Sequence, residues 1–295
     1  LDYIVTPTAS GCLGSPEVFS LTVNPAPVVL FDIADQVICS GSSITAVNLS
    51  SSTPGATFDW SITSNLGGIS GATPTQGGGS IPSMTLSHSS LTPETITITA
   101  IATTTGGASC PGAPTDYTIT INPIPSISSL TDQVVCNGLS TQSVVFAGTG
   151  TQYSWTNTDG SIGLGTSGIG DIGSFTAINN GQTPVTSLVT VTPEYVNGGL
   201  TCSGSPTVYN YTINPTPVVD PIGDQELCIG DQSQVVIFSG TATNYNWSNN
   251  NTVTGAPNSG LNSVPSFIAQ NSSTQVITSN ITVTPESNGC IGIPI

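Results

Sequence analysis

One block of sequence recurs three times, and its spacing constrains the fold more than any other feature. Each copy opens with Asp-Gln-x-x-Cys and reaches an aromatic-x-Trp triplet further on, with Cys-to-Trp spacings of 21, 19 and 19 residues. The copies lead from Asp35 to Trp60, from Asp132 to Trp155, and from Asp224 to Trp247. Asn-Pro pairs at Asn24, Asn122 and Asn214 recur 98 and 92 residues apart. Self-similarity at this domain-sized period predicts a tandem array of similar modules.

The period also predicts the domain boundaries. We predict the C-terminal part of a preceding module at 1–24, module 1 at 25–122, module 2 at 123–214, and module 3 at 215–295 without its last strand. The opening YIVTP aligns with the ITVTP that begins at Ile281, so we interpret the chain as a window of a longer repetitive polypeptide. Two or three domains are also what 295 residues allow, at about 100–150 residues each.

The apolar pattern within each copy is typical of short β-strands. Before each Asn-Pro pair, apolar side chains alternate with Thr, Ser or Asn, as in Tyr209, Tyr211 and Ile213. This alternation predicts a half-buried strand, and no window has a helical period. About seven such strands per copy, with turn residues between them, predict tandem immunoglobulin-like β-sandwich modules and hence an all-β fold. Short Asn-Pro-x-Pro linkers are extended, so we expect the modules to form an elongated rod.

The recurring tryptophans are predicted to be core residues. Trp60, Trp155 and Trp247 occupy one position of one strand, with an aromatic residue two positions earlier on the same face. Exposed aromatic residues could instead form a platform for carbohydrate. A tryptophan that recurs at this strand of a sandwich is usually buried between the sheets, so we favour the core assignment.

The charge of the chain excludes two classes of partner. It has no Lys or Arg and 16 Asp plus Glu, which gives a formal net charge of -16. Without cations it cannot neutralise phosphates, so we expect no nucleic acid partner. It also lacks the basic segments that anionic membranes attract, and no apolar run approaches the roughly 18 residues of a membrane span. We therefore expect no membrane insertion.

Seven cysteines fall into an early and a late class, which predicts disulfides. Our leading expectation is pairing within each module, as Cys39–Cys110, Cys136–Cys202 and Cys228–Cys290, with Cys12 bonded to a residue outside the chain. A sandwich could instead place the early and late cysteines of one module at opposite poles. Pairing across module junctions, as Cys39–Cys202 and Cys136–Cys290, is then the alternative. Sequential pairs such as Cys110–Cys136 also stay open.

Motifs with possible chemistry are few. Gly163, Gly165 and Gly168 satisfy GxGxxG but have no βαβ context, so they do not predict a dinucleotide site. His88 is the only histidine, and we interpret it as a surface residue at a strand end rather than a catalytic base. The acids are scattered, which favours no glycoside-hydrolase pair. We therefore predict neither an enzyme nor a cofactor.

Metal sites are also weakly indicated. A zinc site fails for lack of a CxxC pair and a second histidine. The recurring Asp35, Asp132 and Asp224 could supply some of the six to eight oxygens that calcium needs. In the third copy Asp220, Glu226 and Asp231 lie nearby. The simpler interpretation is that each recurring Asp caps a turn by accepting hydrogen bonds from nearby backbone amides.

The second copy resembles a known family. Tyr153-Ser154-Trp155, followed by Asp159-Gly160, resembles the YxWxFGDG signature of PKD domains. The fuller pattern of DQxVCxG, YxWTN, IxSFTAxN, ITVTPxxNGC and YTITINPxP is similar to the PKD-like repeats of very large secreted bacterial surface proteins, including gliding-motility adhesins. The resemblance implies β-sandwiches, export by a dedicated secretion system, and attachment at the cell surface. Module 1 departs from it, because residues 100–105 replace the Thr-Pro-Glu turn.

These observations predict a non-catalytic repeat segment of an extracellular adhesin or fibre that spaces a binding region from the cell. Its expected partners are other copies of the same repeat, with surface glycans or solid substrates bound by regions outside this chain. One alternative is a self-assembling extracellular filament subunit, formed through the edges of Thr- and Asn-rich strands. Another is a set of spacer modules in a secreted polysaccharide-degrading enzyme.

Overall fold

The computed structural model describes residues 1–64, 66–105 and 108–295. It is nearly all-β, with 45% of residues in strands and 2% in helices, and the β-sandwich prediction is confirmed. The described residues form two compact units. Unit 1 comprises residues 1–125 together with 194–203, and unit 2 comprises 126–193 together with 204–295. Among the residues that the structure describes, no helix has both the length and the apolar character needed to cross a membrane.

Short strands make up the first part of the chain. In order they are β1 Asp2–Val5, β2 Thr8–Ala9, β3 Cys12–Leu13, β4 Glu17–Ser20, β5 Leu30–Phe31, β6 Gln36–Cys39, β7 Ser42–Ser43, β8 Leu49–Ser50, β9 Ala56–Ile62, β10 Ile69–Ser70, β11 Gln76–Gly78, β12 Thr85–His88, β13 Glu94–Thr104 and β14 Thr115–Asn122.

The rest of the chain continues in the same way, with two 3₁₀ turns. The strands are β15 Gln133–Cys136, β16 Gln152–Asn157, β17 Ser167–Ile169, β18 Val185–Asn197, β19 Leu200–Ser203, β20 Thr207–Asn214, β21 Val236–Ile237, β22 Asn244–Asn249, β23 Ser259–Leu261, β24 Ser263–Val264, β25 Ile281–Ser287 and β26 Cys290–Ile291. The 3₁₀ turns are Gly160–Ile162 and Thr252–Thr254.

Unit 1 contains two layers of sheet. The larger sheet has the order β11-β9-β13-β14-β6, and β6 runs parallel to β14 while the other pairs are antiparallel. The smaller sheet has the order β10-β12-β7. One core cluster contains residues of both layers, including Trp60, Leu86 and Ile98. The alternating threonines of β13 lie on the other face of the larger sheet, which explains the period of two in the sequence.

The segment at 1–24 differs from the half-buried strands that its pattern predicts. β1 pairs with β4, and β2 pairs with β3, but every residue of these strands is exposed. Phe19, for example, is 61% exposed. The strands form two-stranded ribbons, and in the described residues no second layer of sheet covers them.

Unit 2 contains two further cores. Around the first, the sheet has the order β15-β20-β18-β16-β17, and β15 runs parallel to β20 as β6 does to β14. Bridges Ser140↔Thr176 and Val144↔Ile172 form the facing layer. Around the second core lie the sheet β23-β22-β25-β26 and the pair β21–β24. Its buried cluster is smaller and centres on Phe238, Tyr245 and Trp247.

One predicted strand is absent. The third Asp-Gln-x-x-Cys segment, 224–228, forms no strand in the described part of the chain, and its residues are exposed. The first two copies pair in parallel with β14 and β20. Residues 215–295 contain no counterpart of the Tyr-x-x-x-Ile-Asn-Pro strand, so the segment has no ladder to join.

Candidate module-coupling site

The recurring Asp-Gln pair fixes the edge strand that carries the early cysteine. Asp35 Oδ1 accepts the backbone N–H of Thr118 at 2.9 Å, which ties the start of β6 to β14. Gln36 Nε2 donates to the Tyr117 hydroxyl at 2.9 Å, and Gln36 Oε1 accepts the backbone N–H of Thr45 at 2.8 Å. Burial raises the pKa of Tyr117, the hydrogen bond from Gln36 opposes this, and the Asp35 carboxylate adds to the increase. The phenol therefore stays neutral and donates to Ala34 O at 2.9 Å.

The parallel pairing brings the early cysteine beside the Asn-Pro asparagine. Cys39 lies opposite Asn122 in the ladder, and Ser40 N donates to Asn122 O at 2.8 Å. The two residues end neighbouring strands, which run about 4.8 Å apart. A thiol and an amide are thus presented together at one pole of module 1.

The hairpin formed by the end of β18 and β19 lies on this pole within unit 1. Its turn contains Gly198 and Gly199, both at positive φ (60° and 77°), where L side chains are strained. A Cβ on Gly198 would lie 2.9 Å from Val37 Cγ2, so glycine also permits close approach to β6. The hairpin places Cys202 against Cys39, and the two form a disulfide with a Cα–Cα distance of 5.6 Å.

An amide pair accompanies this disulfide. Asn122 Nδ2 donates to Asn197 O at 3.2 Å, and Asn197 Nδ2 donates to Asn122 Oδ1 at 2.9 Å. Asn122 is completely buried. The hairpin of module 2 is therefore bound to module 1 by one covalent bond and two reciprocal hydrogen bonds.

Unit 2 repeats the arrangement one module later. Cys136 forms a disulfide with Cys290, again with a Cα–Cα distance of 5.6 Å. Asn137 N donates to Asn214 O at 2.8 Å, and Asn214 Nδ2 donates to Asn288 O at 3.3 Å. Asn288 lies at φ 51° in the hairpin turn, so its side chain is placed differently from that of Asn197. This copy of the site has one amide hydrogen bond to the hairpin where the first has two.

The expected pairing within modules is wrong. Cys39 lies beside the last residue of β14, whereas Cys110 precedes its first residue, Thr115. Eight extended residues span about 26 Å, and a disulfide requires Cα atoms within about 7 Å. Early and late cysteines of one module therefore lie at opposite ends of a strand, and pairing across junctions is what the structure contains. Cys110 and Cys228 are free thiols, so none of the three expected bonds within modules is present, and neither is the alternative Cys110–Cys136 bond. Cys12 is also a free thiol in this chain, and its bond to a residue outside the chain stays a prediction.

A third hairpin in unit 1 has part of the same arrangement. Cys110 is half-buried, and Asn24 Nδ2 donates to Ala108 O of its hairpin at 3.5 Å. Asn24 is the first of the three Asn-Pro asparagines. All three of these asparagines thus contact a carbonyl of a cysteine-bearing hairpin in the following module.

The tryptophans occupy equivalent positions on the second strand from one edge of each large sheet, on β9, β16 and β22. Trp60 and Trp247 are 3% and 4% exposed, and Trp155 is half-buried against its cluster. Each indole N–H donates to a backbone carbonyl of the adjacent strand segment: Trp60 to Ser80 O, Trp155 to Gly170 O and Trp247 to Ser263 O. Their indole rings pack in or against the three core clusters.

The remaining candidates have structural contacts. Asp132 Oδ1 accepts the backbone N–H of Asn210 at 2.7 Å, as Asp35 accepts Thr118, so these carboxylates hold a distant strand and not the nearby turn that we expected. In the described ranges, no three His, Cys, Asp or Glu side chains are grouped to hold a metal. His88 is half-buried rather than on the surface, and its Nε2 lies 2.9 Å from Ile121 O.

Of the GxGxxG glycines, Gly163 and Gly165 follow the first 3₁₀ turn, and Gly168 lies in β17. A Cβ on Gly163 would lie 2.3 Å from Thr176 O, and one on Gly168 would lie 2.3 Å from the Trp155 ring. Packing therefore requires glycine at positions 163 and 168, whereas a Cβ on Gly165 would have no neighbour nearer than 3.9 Å. Sequence reasoning missed the asparagines of the coupling site, although their recurrence before proline was visible and could have indicated a shared contact.

One family model matches part of the chain. Residues 36–125 match a family model described as PKD-like domain. Among solved structures, the titin I-band fragment I67–I69 is 12% identical, with 91% of this chain and 98% of that chain covered and a TM-score of 0.47. A protocadherin gammaB7 EC3–6 structure is 11% identical, with 99% and 83% covered and a TM-score of 0.35. Fibronectin(III)-like modules of CbhA from Clostridium thermocellum are 10% identical, with 64% and 95% covered and a TM-score of 0.31. No curated protein matches the chain. Together with the sheet topology, the family match supports an immunoglobulin-like, PKD-like repeat.

Proposed function

We propose that this chain is a non-catalytic, load-bearing repeat segment of an extracellular cell-surface adhesin or fibre of the gliding-motility type. The observation that supports this most directly is the pairing of the disulfides. Each bond joins the start of one predicted module to the hairpin of the next, at sequence separations of 163 and 154. Such bonds transmit tension between neighbours when the ends of a chain are pulled apart.

The composition fits the same role. The chain has no Lys or Arg, so trypsin-like proteases have no cleavage site in it, which suits permanent exposure outside a cell. Disulfides persist in oxidising extracellular environments. Under this proposal the module boundaries stay at 25–122, 123–214 and 215–295, the modules follow one another as a rod, and regions outside this chain bind glycans or solid surfaces.

Single-molecule force spectroscopy on the purified chain tests the mechanical part. In the oxidised chain the two disulfides shorten the covalent path between the chain ends. Residues inside the closed loops bear no force and do not extend. After reduction, we expect the contour length to increase on the order of 600 Å, since each released residue adds about 3.5 Å. A variant with serine at Cys12, Cys110 and Cys228 keeps both disulfides and serves as the control. Equal extension before and after reduction would contradict a load-bearing role.

Electron microscopy of native material on and off cells tests the cellular part. Beaded single rods attached at the cell surface are expected for an adhesin stalk. A helical lattice with chains in lateral register would instead support the self-assembling filament, and the surface between chains would then be the functional site.

A further inference from the structure

We propose that the asparagine of each Asn-Pro pair is a recognition residue, which binds the hairpin of the following module and positions its cysteine for disulfide formation. We name the pair Asn122 and Cys39 the first clasp, and the pair Asn214 and Cys136 the second clasp. The clasps function inside compact units of the isolated chain. They are therefore independent of whether the protein is an adhesin or a filament.

Burial shows that these amides are directed at the hairpins. Asn122 is 0% exposed and Asn214 is 5% exposed. A buried amide is costly unless its donors and acceptor are paired. Among the described contacts, the side chain of Asn122 bonds to Asn197 in both directions, and that of Asn214 bonds to Asn288 O. In these contacts both side chains bond to the hairpin of the next module.

The backbone explains why the asparagine can serve this role. The residue before a proline favours an extended backbone, so Pro123 and Pro215 favour extended conformations at Asn122 and Asn214. The backbone oxygen of Asn122 is already used by Ser40 N, which leaves the side chain for the hairpin. The amide of Asn122 thus contacts Asn197 at the end of β18, and the adjacent Cys39 is bonded to Cys202 in β19.

The same geometry identifies the partner of a free thiol. Asn24 contacts the Cys110 hairpin, but in the described part of the chain no cysteine lies beside Asn24 as Cys39 lies beside Asn122. In both clasps the cysteine beside the asparagine is the last residue of an Asp-Gln-x-x-Cys strand. The partner that fits Cys110 is therefore the early cysteine of another copy of this repeat. In the coupling reaction the two thiols lose two protons and two electrons to a disulfide oxidant, which is reduced to two thiols as the new S–S bond forms.

Disulfide equilibria in the isolated chain test the recognition role. The folded chain is reduced, equilibrated in glutathione buffers of graded ratio, and quenched. Each disulfide is then quantified by mass spectrometry of peptic peptides. Asn122→Ala should lower the effective concentration of Cys39–Cys202 about tenfold and leave Cys136–Cys290 within about twofold. Asn214→Ala should do the reverse, with a smaller loss of about three- to fivefold, because one hydrogen bond is removed instead of two.

A double-mutant cycle separates recognition from general destabilisation. Asn197→Ala removes only the hydrogen bond to Asn122 Oδ1 and should cost about threefold. Combined with Asn122→Ala, it should cost little more than Asn122→Ala alone, because both changes remove the same contact. Should Asn122→Ala fail to fold, Asn197→Ala on the half-buried hairpin still tests the contact. Equal loss of both disulfides, or no loss from either asparagine variant, would overturn the proposal.

A peptide probe tests the partner of Cys110. The probe has the sequence of residues 131–137, and its cysteine carries a thionitrobenzoate leaving group. Thiol–disulfide exchange with the chain then forms a peptide–protein disulfide and releases the coloured thiolate. The probe should label Cys110 at least fivefold faster than Cys228, and glutathione carrying the same leaving group should not show this preference. Asn24→Ala should remove the preference of the probe. The same preference with glutathione, or faster labelling of Cys228 by the probe, would contradict the assignment.

Discussion

Modules 1 and 2 fill one equivalent position in opposite ways. Two residues after the tryptophan, module 1 has Ile62, which contacts its core, and the completely buried Ile96 lies on the neighbouring strand β13. Module 2 has Asn157 and Ser187 at these places, both buried. The Ser187 hydroxyl donates to Asn157 Oδ1. The same sheet position therefore accepts either an apolar pair or a fully hydrogen-bonded polar pair.

The loop after the tryptophan strand explains the difference. Asn157 Nδ2 donates to Asp159 O, Leu164 O and Gly165 O at 2.9, 3.2 and 3.2 Å, so one amide closes the loop that contains the first 3₁₀ turn. Asn249 of module 3 does the same for the second 3₁₀ turn, with Ser279 in the place of Ser187. Module 1 has a longer loop with strands β10 and β11 and no described 3₁₀ turn. A buried amide is retained where a compact loop needs a donor.

The largest effect is expected from removing that amide. Asn157→Ile should destabilise module 2 by about 3–5 kcal/mol, because three carbonyls and the Ser187 hydroxyl lose their partner inside the protein. Each module has one tryptophan, so ¹⁹F NMR of a 5-fluorotryptophan-labelled chain follows the modules separately during denaturant unfolding. The Trp155 resonance should report the loss, while the Trp60 resonance keeps its midpoint.

The double change Asn157→Ile with Ser187→Ile separates two explanations. It rebuilds the apolar pair of module 1 but still leaves Leu164 O and Gly165 O without a donor. We therefore expect it to recover no more than about 1 kcal/mol. Full recovery would mean that the amide pair supports the sheet rather than the loop.

A second contrast concerns the glycine opposite each tryptophan. A Cβ on Gly168 would lie 2.3 Å from the Trp155 ring, whereas one on Gly77 would lie 2.8 Å from the Trp60 ring. Gly168→Ala should cost about 2–3 kcal/mol in module 2, and Gly77→Ala about 1–2 kcal/mol in module 1. Gly173→Ala is the control, since no atom lies within 4 Å of its added Cβ. Equal losses at Gly168 and Gly173 would show that backbone freedom, not indole packing, requires the glycine.

The sequence predicts the repeated elements better than their connections. Alternation around Tyr209, Tyr211 and Ile213 correctly predicts a strand with one buried face, because burial on one side leaves a period of two. The disulfide partners could not be derived in this way. Whether Cys39 bonds to Cys110 or to Cys202 depends on which end of β14 each cysteine lies near. Neither the composition nor the repeat period predicts those positions.

The role of the asparagines was hidden for a related reason. Asn122 precedes a proline, and in sequence this position is typical of a strand end alone. Its contact with Asn197 joins residues 75 positions apart through a hairpin whose docking no local pattern specifies. Likewise, His88 and Asn179 differ in chemistry, yet each approaches the backbone oxygen of the residue before its Asn-Pro asparagine, Ile121 or Ile213. The sequence does not show that two chemically different side chains make the same contact at equivalent positions, whereas the structure does.

Alkaline pH should lower the stability of module 2 more than that of module 1, with a smaller effect than the substitutions above. Burial raises the pKa of Tyr209 and of Tyr211 in module 2, and their hydroxyls lie 3.3 Å apart. Module 1 has Tyr117 and the apolar Ile119 at these positions. A pKa that is raised on folding gives stability that is complete below the unfolded value near 10 and is lost as pH rises toward the folded value. At pH 11 we expect a decrease in melting temperature of about 5 °C per buried tyrosine, and so a steeper loss in module 2. Tyr209→Phe should reduce the slope for Trp155, and an unchanged slope would rule out this pair as the cause.

The smallest effect is expected at the start of the 3₁₀ turns, where modules 2 and 3 differ by one charge. Asp159 Oδ1 accepts Ser161 N at 2.8 Å, and hydrogen bonds from Ser161 lower the pKa of this exposed carboxyl. In module 3 the neutral Asn251 accepts Val253 N at 3.2 Å instead. A lowered folded pKa gives stability that is present above the unfolded value near 4 and is lost as pH falls through the folded value.

Acidification from pH 7 to pH 2.5 should therefore weaken the turn in module 2 and leave the turn in module 3 unchanged. Asp159→Asn makes the two caps chemically alike, and the difference between wild type and variant isolates Asp159 from the other carboxylates of the unit. We expect the variant to reduce the acid dependence of the Trp155 resonance and not that of Trp247. If both resonances keep their wild-type acid dependence, the carboxylate contributes nothing as an anion, and the cap in module 2 acts like the uncharged amide of module 3.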